Sequence, residues 1–165
     1  MKGLSFLAGG EFYVADVTSI QKVMRKMAVT PVPSAPDAIV GISNLGGKVI
    51  TVLDLGEILG HGGKPGAARV FYDVDAIVFK SFSGGEDQMC LLIDEPGDII
   101  EINENAARMP SLTSGAAGDF CISGVAEVDN RLYRIIKIES ILEKFKDSSD
   151  KTVETTQDGG IENGE

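Results

Sequence analysis

Shifted by 83 residues, two hairpins of the chain superpose without a gap, and this internal repeat limits its folds more than any other feature. Ile39, Val40, Gly41 and Ile42 meet Ile122, Ser123, Gly124 and Val125. Leu45 meets Val128, and the turn pair Gly46-Gly47 meets Asp129-Asn130. Val52-Leu53 meets Ile135-Ile136, and Ile58-Leu59 meets Ile141-Leu142. Both turn pairs suit a two-residue hairpin, where both central residues need positive φ. A second pair of hairpins repeats at a looser offset, one turning at Gly9-Gly10 and the other at Gly84-Gly85. The chain therefore reads as two similar β units, each with two hairpins and a short helix. Several short strands per unit point to small barrels, because closure removes exposed sheet edges. Two barrels side by side leave a groove between them, a common place for a ligand or partner.

The strands predicted from β-branched and aromatic runs are Leu4–Ala8 with Phe12–Ala15, Ile39–Leu45 with Lys48–Leu53, Ala76–Phe82 with Met89–Ile93, and Ile122–Val128 with Leu132–Ile138. Asp54–Gly60 and Glu139–Phe145 read as short helices following a strand. Between the first two hairpins the pattern is ambiguous. Val17, Ile20, Met24 and Met27 fall at helical spacing, while Phe12–Val23 also reads as one long strand. Glu104–Ala117 holds Pro110 and small residues and reads as a loop with one helical turn. Residues 147–165 carry six acids and a single lysine, with Val153 and Ile161 as the branched aliphatics. Such a segment cannot bury enough surface to offset its ordering entropy, so it reads as a disordered acidic tail.

Chemistry is hard to find in this composition. The chain has one histidine, His61, inside a Gly-rich stretch that reads as an exposed turn. Cys90 and Cys121 lie in apolar runs, where a thiol behaves as a small hydrophobe, and two cysteines make no disulfide framework. A reduced, cytosolic setting is the expectation. No HExxH, CxxC, P-loop or GxSxG motif occurs, and the glycine doublets lack the spacing that cradles phosphate. The acid pairs Glu86-Asp87 and Asp94-Glu95 read as solvated turns. No catalytic residue, metal site or cofactor is expected. A formal net charge of −10 disfavours nucleic acid as a partner. No apolar run is long enough to span a bilayer, and the N-terminus is too soon polar for a signal peptide, so no membrane insertion is expected. Lys22, Arg25 and Lys26 form a compact basic cluster suited to an acidic partner surface, or else a solvated strand end.

The stretch Ala35–Leu55, with Pro36, Gly41, Asn44, Leu45, Gly47 and the closing Asp54-Leu55, resembles the signature of the CheW family of chemotaxis coupling proteins. Leu92–Ile100 is similar to a second family strand, Ile122–Leu142 to its closing strand pair and helix, and Gly9, Gly10, Glu11 and Tyr13 to its N-terminal hairpin. The resemblance covers about residues 3–145. It implies a mainly β fold of two intertwined five-stranded SH3-like barrels with short helices. On that reading residues 1–146 are one CheW-like domain, with a first barrel over about 12–69, a second over about 70–146, and the N-terminal strand crossing over.

The resemblance also implies an adaptor without catalysis. Its partners would be a CheA-type histidine kinase, bound through that kinase's own CheW-like domain, and the cytoplasmic tip of a methyl-accepting chemoreceptor. Its location would be the receptor arrays on the inner face of the membrane. Kinase contact is expected at Val23, Arg25, Lys26, Ala38 and Gly41, and receptor contact at Ile20, Asn44, Leu45, Gly46 and Ile99. One departure stands out: the family pattern has an arginine where this chain has Gly46. That leaves room for a divergent chemosensory pathway such as surface motility. A generic SH3-like binding module and a cysteine-dependent hydrolase are the readings from other classes.

Overall fold

A computed structural model describes residues 1–60, 71–81, 88–109 and 119–146. Ten strands run in order: β1 Lys2–Ala8, β2 Glu11–Asp16, β3 Ile20–Val29, β4 Ile39–Leu45, β5 Lys48–Asp54, β6 Phe71–Phe79, β7 Gln88–Ile93, β8 Glu95–Glu101, β9 Ile122–Val128 and β10 Arg131–Ile136. Helix α1 spans Leu55–Ile58, and residues 138–146 form a second helix, α2. The strands build two five-stranded curled sheets, one ordered β3-β6-β7-β5-β4 and the other β8-β1-β2-β10-β9.

The two sheets have the same topology, and the repeat seen in the sequence maps onto it residue by residue. In each, a hairpin (β6–β7 or β1–β2) lies between an edge strand (β3 or β8) and a second hairpin, joined to it by one parallel pairing, β5 with β7 or β10 with β2. Ile39 pairs with Leu53 and Gly41 with Val52, leaving Val40 bulged. At the same spacing Ile122 pairs with Ile136 and Gly124 with Ile135, leaving Ser123 bulged. Asp54 N–H donates to the Ala38 carbonyl at 2.9 Å, and Lys137 N–H to that of Cys121 at 2.7 Å. Isolated bridges then close the sheets, Thr30 with Ile42 and Arg108 with Val125. The turns match too, with positive φ at Gly46 and Gly47 and at Asp129 and Asn130.

The sheets draw on the chain differently from a boundary near residue 70. β6 and β7, which that boundary gives to the second barrel, hydrogen-bond in the first sheet. Residues 12–16 lie in the second sheet, where the whole β1–β2 hairpin crosses over rather than a single strand. Each repeat thus lends its leading hairpin to the other. The repeat in the sequence records the order of hairpins along the chain, and nothing in it says which sheet a hairpin completes.

The ambiguous segment after Phe12 is neither a helix nor one strand. Asp16 accepts from the backbone N–H of Thr18 at 2.9 Å and from its hydroxyl at 2.8 Å, capping a single 3-10 turn over Val17–Ser19. That turn carries the chain from one sheet to the other. The helical spacing beyond it comes from bulges in β3. Irregularities between Ile20 and Lys22 and between Met24 and Met27 lengthen the strand's two-residue period to three. Lys26 sits in the second bulge at φ 57°.

Among the described residues, three apolar cores follow from this layout. Met27, Val29, Ile50, Val52, Ala76, Val78 and Cys90 fill the first barrel. Val14, Ile102, Ala126, Tyr133 and Ile135 fill the second. The largest core lies between the barrels and draws on both, including Phe6, Tyr13, Leu53, Ile77, Phe79, Leu91, Ile136 and Ile141. Side chains alternate along the inner strands, so Ala76 and Val78 face one core while Ile77 and Phe79 face the other. Burial on both faces explains why these strands read as unbroken apolar runs. His61, Glu86-Asp87, the Gly84-Gly85 turn and the acidic tail lie outside the described residues.

Candidate functional site

The residues expected to touch partners fall into two groups on this frame. The first group faces the junction of the barrels. Ile20, expected at the receptor, and Val23, expected at the kinase, lie opposite Phe79 and Ile77 on β6, and directly opposite residues share a face of the sheet, so the two fall together. Both partners belong to the inter-barrel core, and Ile20 packs against it while remaining half-exposed. Across the junction, Ile99 on β8 lies opposite Leu4, which packs against the same core. Ile99 is 66% exposed. Leu4 was not expected at a site; its pairing with Ile99 was invisible before the register of β1 and β8 was known. The Arg25 guanidinium reaches Asp75 at 3.4 Å. Its side chain is 68% exposed, so solvent screens most of that pair's value.

The second group lies on the first barrel, where β3 and β4 part. Thr30 and Ile42 exchange two backbone hydrogen bonds, each 2.8 Å, and the Ser43 hydroxyl donates to the Ala28 carbonyl at 2.7 Å. Beyond those contacts the strands splay around a groove of about 510 Å³. Met24, Lys26, Met27, Asn44, Leu45 and Val49 line it. Lys26, expected at the kinase, and Asn44 and Leu45, expected at the receptor, therefore share one groove on the first barrel. The methionines and Val49 are additions; the bulges that aim the methionines have no sequence signature. Asn44 is oriented by accepting from Gly47 N–H at 3.0 Å, which also stabilises the turn.

Ala38 and Gly41 hold backbone positions. Ala38 packs on the inter-barrel core, and its carbonyl receives Asp54 N–H. Gly41 is buried, and a Cβ there would run into the Thr30 carbonyl. Gly46 is exposed at φ 60°, a left-handed turn position.

The groups that chemistry would need are placed for structure. Burial pushes the Cys90 thiol up to about 12, which keeps it protonated and unreactive. Burial, with the nearby Glu11 carboxylate, pushes the Tyr13 phenol up to about 12. Glu11 itself takes a two-pronged contact from Arg134, at 2.7 and 3.2 Å, and the Tyr13 hydroxyl donates to it at 3.3 Å. This cluster ties β2 to its parallel neighbour β10. Asp94 accepts from Gly9 N–H at 2.8 Å and so holds a turn.

A duplicated β frame with an apolar junction, a surface groove and two buried cysteines is the build of a scaffold that holds other proteins. The chain belongs to the CheW-like domain family, which matches residues 2–146. It is 25% identical over 143 residues to the chemotaxis protein CheW of Thermotoga maritima, covering 86% of this chain and 87% of the relative. With the CheW of Klebsiella aerogenes it shares 24% over 140 residues, 84% of this chain and 80% of the relative. The crystal structure of the scaffolding protein TtCheW from Thermoanaerobacter tengcongensis aligns with a TM-score of 0.66 and 29% identity, covering 82% of this chain and 88% of that one. Family members are scaffold proteins, not enzymes, and the chain is a CheW-like chemotaxis scaffold. Among the described residues, no helix is long and apolar enough to cross a membrane.

Proposed function

We propose that this scaffold couples a CheA-type histidine kinase to the cytoplasmic tip of a methyl-accepting chemoreceptor, acting on the cytoplasmic side of the membrane at receptor arrays. The observation that carries the proposal is the apolar face at the barrel junction, where Leu4, Ile20, Val23 and the exposed Ile99 come from two different sheets. A ridge of receptor tip suits that face. The kinase takes the first barrel, through the groove at Lys26, Asn44 and Leu45 and the adjoining strands that carry Arg25, Ala38 and Gly41. Two contacts on one rigid body raise the effective concentration of each partner for the other, so modest affinities suffice. Gly46, in place of the arginine of the family pattern, adjoins the first-barrel groove and suits a partner that does not call on a forked cation there, as in a divergent chemosensory pathway.

The test is a three-part reconstitution with purified kinase, receptor-tip fragment and the full chain. The wild-type chain should bring kinase and receptor down together. Ile20→Asp, at a half-exposed position, should lose the receptor and keep the kinase. A chain that retains neither partner, or an Ile20→Asp variant that still bridges both, refutes the assignment.

A further inference from the structure

The groove on the first barrel is basic, in a chain whose formal net charge is −10. Among the described residues that line it, Lys26 carries charge and no acid appears. Lys48 lies opposite Leu45, a lining residue, and so shares its face and adds a second ammonium beside the groove. Both lysines are exposed, and among the described residues neither is in a salt bridge. Several other cations are engaged: Arg25 and Arg134 pair with Asp75 and Glu11, and Arg131 and Lys144 lie over the rings of Phe12 and Phe120. Met24, Met27, Leu45 and Val49 give the groove apolar surface, and Val49 is 50% exposed. Methionine adapts to the shape of what it packs against.

The complement to this surface is written in the chain itself. Residues 147–165 carry Asp147, Asp150, Glu154, Asp158, Glu162 and Glu165 against Lys151, with Val153 and Ile161 among them. The rest of the chain is also net acidic, so it repels this segment in general and attracts it where unpaired lysines stand beside apolar surface. The segment starts within reach. It follows α2, whose Glu139 accepts from the Ser19 hydroxyl at 3.0 Å, and Ser19 directly precedes β3. Along β3 to Lys26 and along α2 to residue 146, the path is at most about 40 Å. An extended chain gains about 3.3 Å per residue, so Ile161 and Glu162 reach the groove even on that outer bound. Tethering gives the acids an effective concentration on the order of millimolar, and contacts worth little singly then suffice together.

We infer that the acidic segment after α2 folds back onto the first-barrel groove, with its carboxylates on Lys26 and Lys48 and its branched aliphatics on the methionines. It thereby covers the surface proposed above for the kinase, and this consequence rests on that reading. The kinase must displace the segment to bind, so the scaffold carries a competitor for its own contact.

The test places a nitroxide on Thr156→Cys in the full chain, whose two native cysteines are buried, and reads broadening of backbone amides by NMR at low salt. Lys26, Asn44, Leu45 and Lys48 should broaden. They should sharpen at about 1 M salt, where screening is short-ranged, and in a variant combining Lys26→Asn with Lys48→Glu. Asparagine suits the left-handed backbone of position 26, at φ 57°, so that variant keeps the fold. Broadening that is absent from the groove, equal at the Asp129-Asn130 turn of the second barrel, or unchanged in the variant overturns the inference. So does broadening of groove amides in an isotope-labelled chain mixed with the nitroxide chain, which would assign the contact to a second copy. Competition is read separately, by kinase titration of a chain with Asp150→Asn, Glu154→Gln, Asp158→Asn and Glu162→Gln. That chain should bind about threefold more tightly than wild type at low salt, and equal affinity overturns the covering role. A kinase that binds neither chain removes the kinase reading alone, because the broadening reports docking without a partner.

Discussion

Gly41 and Gly124 occupy the same place in the two repeats, yet substituting alanine should have unlike consequences. Each follows the bulge of its hairpin and lies beside the bridge that closes its sheet. At Gly41 a Cβ would overlap the carbonyl of Thr30, which is backbone and cannot swing aside. To accommodate it, the chain must pull Thr30 away from Ile42 and open two hydrogen bonds of 2.8 Å. Each such bond is worth about 0.5–1.5 kcal/mol net, and the Cβ also presses on the Val29 side chain, so Gly41→Ala should lose roughly 1–3 kcal/mol. At Gly124 the nearest atoms to a Cβ are the Ala107 Cβ and the Arg108 carbonyl oxygen, both at 3.5 Å, an ordinary contact. Nothing need move, and alanine restricts the unfolded chain, so Gly124→Ala should be neutral or stabilising by up to about 1 kcal/mol. Urea unfolding followed by circular dichroism would separate the two midpoints by about 1–2 M. Equal midpoints, or a larger loss at Gly124, would refute the reasoning. The comparison also bears on function: weaker kinase capture by Gly41→Ala would report an opened barrel rather than a lost contact.

Three further perturbations have defined outcomes. Gly46→Arg forces a side chain into a left-handed position at φ 60° and should cost about 1–2 kcal/mol, whereas Gly46→Asn should cost less; thermal unfolding of the two variants checks this. Arg134→Ala and Glu11→Ala, combined in a double-mutant cycle, should show a coupling of about 0.5–1 kcal/mol, kept small because both side chains are near 40% exposed, at 39% and 43%. Alkaline pH should destabilise the fold: Cys90 and Tyr13 have ordinary values of 9.0 and 10.0, and both rise to about 12 when folded. Above those ordinary values the unfolded chain releases protons that the folded chain retains, so stability is complete below pH 9 and falls from there toward 12. Chemical denaturation across that range, with Cys90→Ala and Tyr13→Phe each removing part of the slope, is the measurement.

Much of the frame was legible in the sequence because repetition is a pattern of identity and spacing. The offset that pairs Gly41 with Gly124 also pairs their bulges, their turns and the closing contacts at Ala38 and Cys121. Two things escaped. Exchange of the leading hairpins depends on the parallel pairings of β5 with β7 and β10 with β2, and parallel neighbours leave no mark at a turn. The bulges in β3 escaped as well, since an extra residue turns a strand's period into one that imitates a helix. That is why Ile20, Val23, Met24 and Met27 were hard to place, although they are the residues that divide the junction face from the first-barrel groove. Ile99 was found by family resemblance, and its partner Leu4 needed the register.

The exchanged hairpins bear directly on what a scaffold must do. A two-barrel protein joined by a linker would let its halves rotate, since interfaces between domains of one chain are ordinarily small and permissive. Here the largest core lies between the barrels and is built from both repeats, and each sheet is completed by strands from the other repeat. Moving one barrel relative to the other would break the apolar contacts of that core and strain the chain where it crosses between sheets. The junction face at Ile20 and Ile99 and the groove at Lys26 and Leu45 are therefore held at one spacing and one angle. β3 runs from the first to the second, with Ile20 and Val23 at one end and Met24 to Met27 at the other. The two faces thus share one strand, and the bulge that re-aims its side chains from one to the other holds Lys26 at φ 57°.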